Sequence, residues 1–162
     1  MYSALLLLLV LLLTSISSAQ ATIAPDCLLP RYANDKPING ETVDWAIALR
    51  LSGTPRGALL RAFRQSYCSQ MSFNHSRYYP LIDKPIAVSV KTRSQGESLR
   101  QAWAQLAVWA SAHMNFLSQL PTNTNSSAIV LPHLPLLIIQ GSQYSFLSAS
   151  READGSTVSH LA

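Results

Sequence analysis

The segment 85–93 constrains the fold of this chain more than any other. Its β-branched residues alternate with small ones and then give way to Lys91-Thr92-Arg93. This pattern predicts a buried strand that runs out into two basic residues. Because side chains on one face of a strand recur every two residues, Lys91 and Arg93 leave the sheet on the same face.

The segments around this strand predict the rest of an α/β domain with a mixed sheet. Residues 42–49 alternate as a strand, and 134–140 form a continuous apolar run typical of a strand covered on both faces. Residues 143–150 are predicted to be its hairpin partner, and 151–155 a turn before a frayed C-terminus. Residues 53–55 are expected to form a turn before a helix at 56–66. Apolar residues repeat every three or four positions over 97–120, which predicts one long helix beside the sheet.

Composition excludes some classes of function but does not identify one. The 162 residues suit one domain, and the net charge of +4 permits contact with nucleic acid or a membrane surface without demanding either. Two cysteines, Cys27 and Cys68, exclude a disulfide framework and a four-cysteine zinc site. They are expected to be ordinary buried thiols, and a single bridge between them is the alternative.

The N-terminus predicts a signal peptide. Residues 4–13 are apolar throughout and Ala19-Gln20-Ala21 follows, so cleavage is expected after Ala21. The run is too short for a transmembrane helix. No Lys or Arg precedes it, and a wrongly assigned start of the chain is the alternative interpretation. We therefore expect a leader at 1–21 and one domain at 22–162, secreted if the leader is genuine and intracellular otherwise. Secretion would make Asn74 and Asn125 glycosylation acceptors.

Four segments together resemble the PD-(D/E)XK nuclease-like proteins common in filamentous fungi. Val43-Asp44-Trp45 resembles the family's Val-Asp-Phe, and 85–93 resembles its Pro-Ile-Ala-Val-Ser-Ile-Glu-Thr-Lys. Gln105 lies in a helical segment similar to the family's, and 134–141 resembles its Leu-Pro-x-Ile-Ile-Val-Gln-Gly. The resemblance covers roughly 22–158 and implies a restriction-endonuclease-like core.

The resemblance also implies a set of site residues. Asp44 matches the metal-binding aspartate, Lys91 falls at the glutamate, Arg93 at the lysine, and Gln105 at the glutamine beside the active site. Plainer interpretations stay open for each. Asp44 is equally well explained as a salt-bridged residue at a strand edge, Lys91 and Arg93 as a solvated strand end, and Gln105 as a partner of a backbone group.

The substitution of Lys91 for the family's glutamate decides the functional hypothesis. Metal-dependent cleavage of a phosphodiester requires carboxylates that hold Mg²⁺. Two cations beside one carboxylate attract phosphate but repel Mg²⁺, by about 4 kcal/mol for each like-charge contact at about 4 Å in a dielectric of about 20. We therefore expect a catalytically impaired nuclease-like protein with no cofactor, which retains nucleic-acid binding through Lys91 and Arg93.

Two alternatives to this hypothesis stay open. One is a small secreted interaction protein on the same scaffold. The other is an active Mg²⁺-dependent nuclease in which Glu97, Asp83 or Glu41 supplies the missing carboxylate. The four histidines show no metal-ligand spacing, and His113 is expected to be a hydrogen-bonded core residue. No pattern predicts the substrate or the oligomeric state.

Overall fold

The computed structural model describes residues 13–27, 43–65, 72–94, 96, 98–120, 133–151 and 157–161. Glu41, Cys68, Glu97 and Asn125, which carried sequence predictions, lie outside these residues, so the pairing of Cys27 with Cys68 stays a prediction. Among the described residues, a mixed sheet and two α-helices make up the fold, as predicted.

Six strands of the described chain form one sheet in the order of the sequence. They are β1 (Leu13–Ser17), β2 (Trp45–Leu49), β3 (Ile86–Arg93), β4 (Leu134–Gln140), β5 (Gln143–Arg151) and β6 (Thr157–Leu161). β3 and β4 are parallel, and the other neighbours are antiparallel. A parallel pair needs a crossover, and a long helix between β3 and β4 supplies it.

The two helices are α1 (Gly53–Gln65) and α2 (Leu99–Ser118). α1 includes the segment 53–55, where a turn was predicted. That prediction is wrong because Pro55 lies in the first helical turn, where a backbone N–H has no intrahelical partner and its loss costs little. α2 confirms the long crossover helix. Within the described residues, neither helix combines the length and apolar character needed to span a membrane.

The core lies between α2 and one face of the sheet. Trp109 of α2 is fully buried, and its Nε1 donates to Ser89 Oγ of β3 at 3.0 Å, which fixes the helix against the central strand. β4 was predicted to be covered on both faces. Instead its burial alternates, with Leu136 and Ile138 buried and Leu137 and Ile139 half-buried, because α2 covers a single face.

Both chain ends contribute strands that the sequence patterns did not predict. β1 pairs with β2 along its whole length, from Leu13 opposite Leu49 to Ser17 opposite Trp45. Ser18 and Ala21, which follow it, are fully buried. β1 therefore lies on the leader side of the predicted cleavage position. At the other end, β6 pairs with β5 where a frayed terminus was expected, while the hairpin from β4 to β5 is confirmed.

Asn74 organises the irregular segment that precedes β3. Its side chain is fully buried, its Nδ2 donates to the carbonyl oxygens of Leu81 (2.6 Å) and Lys84 (3.0 Å), and its Oδ1 accepts from the Ile86 N–H (2.9 Å). A buried amide with both ends occupied cannot carry a glycan in the folded chain. The glycosylation predicted at Asn74 is therefore wrong.

Candidate functional site

A cavity of about 370 Å³ opens where β2 begins and β3 ends, under the first turns of α2. All four sequence-predicted site residues line it. The described lining consists of Asp44, Lys91, Thr92, Arg93, Ser94, Ser98, Gln101, Ala102 and Gln105. Segments more than 40 residues apart in the sequence thus converge on one site.

Asp44 is held by backbone contacts on both sides. It directly precedes β2, its N–H donates to the Val90 carbonyl of β3 at 3.0 Å, and its own carbonyl accepts from the Ser18 N–H at 2.9 Å. The hydroxyl of buried Ser18 also donates to the Val43 carbonyl at 3.0 Å. The N-terminal segment and the central strand together position this carboxylate.

The strand period places Lys91 and Arg93 beneath the helix. Ser89 lies on the same face two residues earlier and accepts the hydrogen bond from Trp109 of α2. That contact fixes the helix over this face of β3, so that the next residues with the same orientation, Lys91 and Arg93, reach the cavity. Burial agrees with the sequence prediction that both side chains leave the sheet on one face, since Lys91 is half-buried and Arg93 buried while Thr92 between them is exposed.

Both oxygens of the Asp44 carboxylate are occupied. The Lys91 ammonium lies 3.0 Å from Oδ1, with 14% of the Lys91 side chain and 22% of the Asp44 side chain exposed. Oδ2 accepts the Thr92 N–H at 2.6 Å and the Thr92 hydroxyl at 2.8 Å. One carboxylate is therefore neutralised by a cation and hydrogen-bonded by two further donors.

This donor set does not fit Mg²⁺. The ion takes near-octahedral oxygen ligands and is held by one or two carboxylates with free lone pairs. Asp44 is the one carboxylate among the described lining residues, and its lone pairs already serve Lys91 and Thr92. An ammonium also stands where the resemblance places a second acid. The residues present would have to give up three donor contacts and accept a cation beside Lys91.

The described carboxylates offer no replacement ligand. Asp83, one of the three candidates, is absent from the cavity lining and pairs with Lys84 at 2.9 Å and Arg56 at 3.6 Å. The hydrogen bond from Lys84 lowers the pKa of Asp83 below its ordinary value. In the part of the chain that the structure describes, no three His, Cys, Asp or Glu residues cluster as a metal site.

Within the described residues, Arg93 carries the positive charge of the site that is not paired with a carboxylate. It is 8% exposed, and its Nη1 donates to Gln140 Oε1 at 3.3 Å. Its Nη2 is buried and has no hydrogen-bond partner, and no carboxylate of the described chain lies within ion-pair distance. A buried guanidinium in this state favours an anion.

Ser98, Gln101 and Thr92 complete the site, and the sequence patterns did not single them out. Ser98 and Gln101 lie at spacings of three and four from one another and from the predicted Gln105, which places all three on one face of α2. That spacing, counted back from Gln105, was a signal that could have found the other two. Thr92 is different, because strand alternation points its side chain away from Lys91 and nothing in the sequence indicates its contact with Asp44.

A second polar cluster lies in the core. His75 is fully buried and its ring stacks on that of His113, with ring centroids 4.7 Å apart. The ring of Trp109 contacts that of His75 edge-on, with centroids 4.3 Å apart. Burial lowers the pKa of His113 to about 4. Burial first, and the nearby His113 second, hold the pKa of His75 well below its ordinary value. His113 is buried as predicted, but its ring stacks on that of His75 and makes no hydrogen bond within the described chain.

Comparison with known proteins identifies the family. No curated protein sequence and no solved structure matches the chain significantly. The family model described as the PD-(D/E)XK nuclease superfamily matches residues 6–161. The match extends past the expected start near Thr22 and includes β1. Because it spans nearly the whole chain, together with the mixed sheet and long crossover helix, the chain belongs to the PD-(D/E)XK nuclease superfamily.

Proposed function

We propose that this protein binds nucleic acid through phosphate contacts in the cavity and does not perform metal-dependent cleavage. The observation that carries the proposal is the Lys91–Asp44 ion pair, with 3.0 Å between Nζ and Oδ1. The cation occupies the carboxylate on which a metal-dependent nuclease of this family relies.

The charge balance of the site supports binding without catalysis. Among the described lining residues, the negative charge of Asp44 neutralises that of Lys91, so the positive charge of Arg93 remains. A net positive cavity attracts phosphate and repels a divalent cation. The positive charge of the whole chain adds to this attraction. Cleavage would need a metal ion to activate water, and the one carboxylate of the described lining is already paired with Lys91.

Binding and cleavage are tested together on the purified full-length chain. A labelled single-stranded oligonucleotide measures affinity across a salt series, and plasmid DNA with Mg²⁺ or Mn²⁺ measures cleavage. We expect affinity to fall with salt, as phosphate contacts require. Arg93→Gln weakens it, while Arg56→Gln, which removes the same charge from an exposed position outside the cavity, leaves it nearly unchanged. No metal-dependent cleavage is expected.

Specific results would contradict the proposal. Cleavage that requires a divalent cation and disappears in Asp44→Ala would refute the impaired site. Cleavage that also disappears in Glu97→Gln would favour the alternative of an active nuclease with a relocated carboxylate. Absence of nucleic-acid binding at low salt would refute the binding half of the proposal.

A further inference from the structure

Arg93 is buried at the lining of a cavity that can admit a small group. The residue is 8% exposed, its Nη2 has no hydrogen-bond partner, and the described chain supplies no carboxylate to it. Burial of a charge without a counterion is costly, and an anion in the cavity lowers that cost through its own charge, although Nη2 itself has almost no solvent-accessible area. Guanidinium groups bind phosphate oxygens in pairs, with a geometry that ammonium groups lack.

The N-terminus of α2 adds donors on the other side of the cavity. Ser98 is the N-cap residue of this 20-residue helix, and its hydroxyl makes no capping hydrogen bond. Gln101 and Gln105 on the same helix face line the cavity, and their side chains make no hydrogen bond within the described residues. The first N–H groups of a helix and its dipole favour an anion at this end. Arg93 and the N-terminus of α2 therefore line the same cavity from two sides.

The burial of Arg93 selects between kinds of phosphate. An internal phosphodiester has a sugar on both sides, so it can present its two free oxygens at a surface but cannot insert as a chain end. A terminal phosphomonoester has three free oxygens and one substituent, so it can enter a recess end-on. It also carries a charge of about −1.5 to −2 at pH 7, against −1 for the diester. A recessed cation with unused donors around it favours the monoester.

On these grounds we propose that the cavity recognises the terminal phosphomonoester of a nucleotide or of an oligonucleotide end. The inference rests on the proposed function and adds the form of the phosphate. The volume of about 370 Å³ fits the lower part of the range of small-ligand sites. It accommodates one nucleotide and is too small for a duplex segment.

The test compares one oligonucleotide in three forms by titration calorimetry. A short single-stranded DNA carries a 5′-phosphate, a 3′-phosphate or neither, and deoxyadenosine 5′-monophosphate is titrated separately. We expect at least about tenfold tighter binding of a phosphorylated form, the size of one charge-assisted hydrogen bond. If the mononucleotide binds tightly, the ligand is a free nucleotide. If the mononucleotide binds weakly while a phosphorylated oligonucleotide binds tightly, the ligand is a chain end. Affinity rises as pH passes about 6, where the monoester takes its second charge.

Variants separate this inference from the proposed function. Arg93→Gln abolishes the preference for the phosphorylated form, Arg93→Lys keeps part of it, and Arg56→Gln keeps all of it. Thermal unfolding of each variant checks that it is folded. Equal affinity for phosphorylated and unphosphorylated forms, both weakened by Arg93→Gln, overturns the inference and leaves the proposed function standing. Failure of every nucleic-acid form to bind overturns both.

Discussion

The Lys91 ammonium and the Asp44 carboxylate form an ion pair, with 3.0 Å between Nζ and Oδ1. The pair acts as an internal substitute for a bound cation, because it neutralises the aspartate without a metal. The Thr92 donors on Oδ2 reinforce the substitution by occupying the second oxygen.

Lys91→Glu is expected to create a divalent-cation site. The substitution changes the net charge of the described lining from +1 to −1 and places a second carboxylate beside Asp44. We expect Mn²⁺ to bind at least about tenfold more tightly than to the wild type, since a like-charge contact is replaced by an attraction. Titration calorimetry measures the affinity directly.

Arg50→Glu is the matched control for this change. It makes the same two-unit change in charge at an exposed residue outside the cavity lining, so Mn²⁺ affinity should stay at the wild-type value. Saturable Mn²⁺ or Mg²⁺ binding by the wild type, as tight as by Lys91→Glu, would show that the ion pair does not block the metal.

The same ion pair is expected to stabilise the fold. Asp44→Ala should lower the free energy of unfolding by roughly 2–4 kcal/mol, because it removes the ion pair with half-buried Lys91 and both hydrogen bonds from Thr92. Lys91→Met should cost less, about 1–2 kcal/mol, since Thr92 still satisfies the carboxylate. Urea denaturation measures both.

The control for these two variants is Asp26→Ala. Asp26 pairs with Arg77 at 3.5 Å with both side chains largely exposed, so its loss should cost less than about 1 kcal/mol. If Asp44→Ala is no more destabilising than Asp26→Ala, the hydrogen bonds around Asp44 contribute little to stability.

Strand periodicity was sufficient to predict which residues form the site, but it did not predict the contacts among them. The spacing of Lys91 and Arg93, with the motif at Asp44, was sufficient to bring these residues together, because period-two geometry is a local property. The contact between Thr92 and Asp44 depends on how β2 and β3 meet at their ends. No single strand encodes that relationship, so the sequence could not reveal that both carboxylate oxygens are occupied.

The edge strands and the burial of His75 escaped prediction for other physical reasons. β1 lies after an apolar run that suits a leader equally well, and its identity as a strand follows only from its partner β2. β6 is five residues long, and the sequence pattern predicted a frayed end for it. His75 belongs to an irregular segment held by side-chain contacts of Asn74. Tertiary contacts determine all three, and local patterns are silent on them.

The N-terminal segment is expected to be needed for stability and for the site. A chain that starts at Thr22 lacks β1, both hydrogen bonds of Ser18 to the segment around Asp44, and the buried Ala21. We expect a lower melting temperature than that of the full chain and weaker oligonucleotide binding. Cleavage after Ala21 stays a prediction, which the mass of the mature protein tests.

A point variant tests the same contacts without truncation. Ser18→Ala should cost about 1–2 kcal/mol of unfolding free energy because it removes a buried hydroxyl bond to the Val43 carbonyl. Ser17→Ala, at an exposed position of β1, should stay within about 0.5 kcal/mol of the wild type. A Thr22-starting chain that melts with the full-length protein would show that β1 is dispensable.

Stability is expected to fall between pH 6.5 and pH 4. In the unfolded chain His75 and His113 bind protons near pH 6.5, whereas burial holds the pKa of His113 at about 4 and that of His75 well below normal. Between these limits the unfolded state binds more protons, so acid favours unfolding. The protonation of His113 alone should lower the free energy of unfolding by about 3 kcal/mol over this range, at about 1.4 kcal/mol per pH unit.

Variants assign this pH dependence to the stacked pair. His113→Gln should flatten the slope of unfolding free energy against pH, since it removes one titrating group and relieves the other of a neighbouring charge. His133→Gln, at an exposed position, should leave the slope unchanged. The described carboxylate with a shifted pKa, Asp83, titrates below this window because its pKa is lowered further from 3.8. An equal slope in His113→Gln and the wild type would assign the acid sensitivity to other groups.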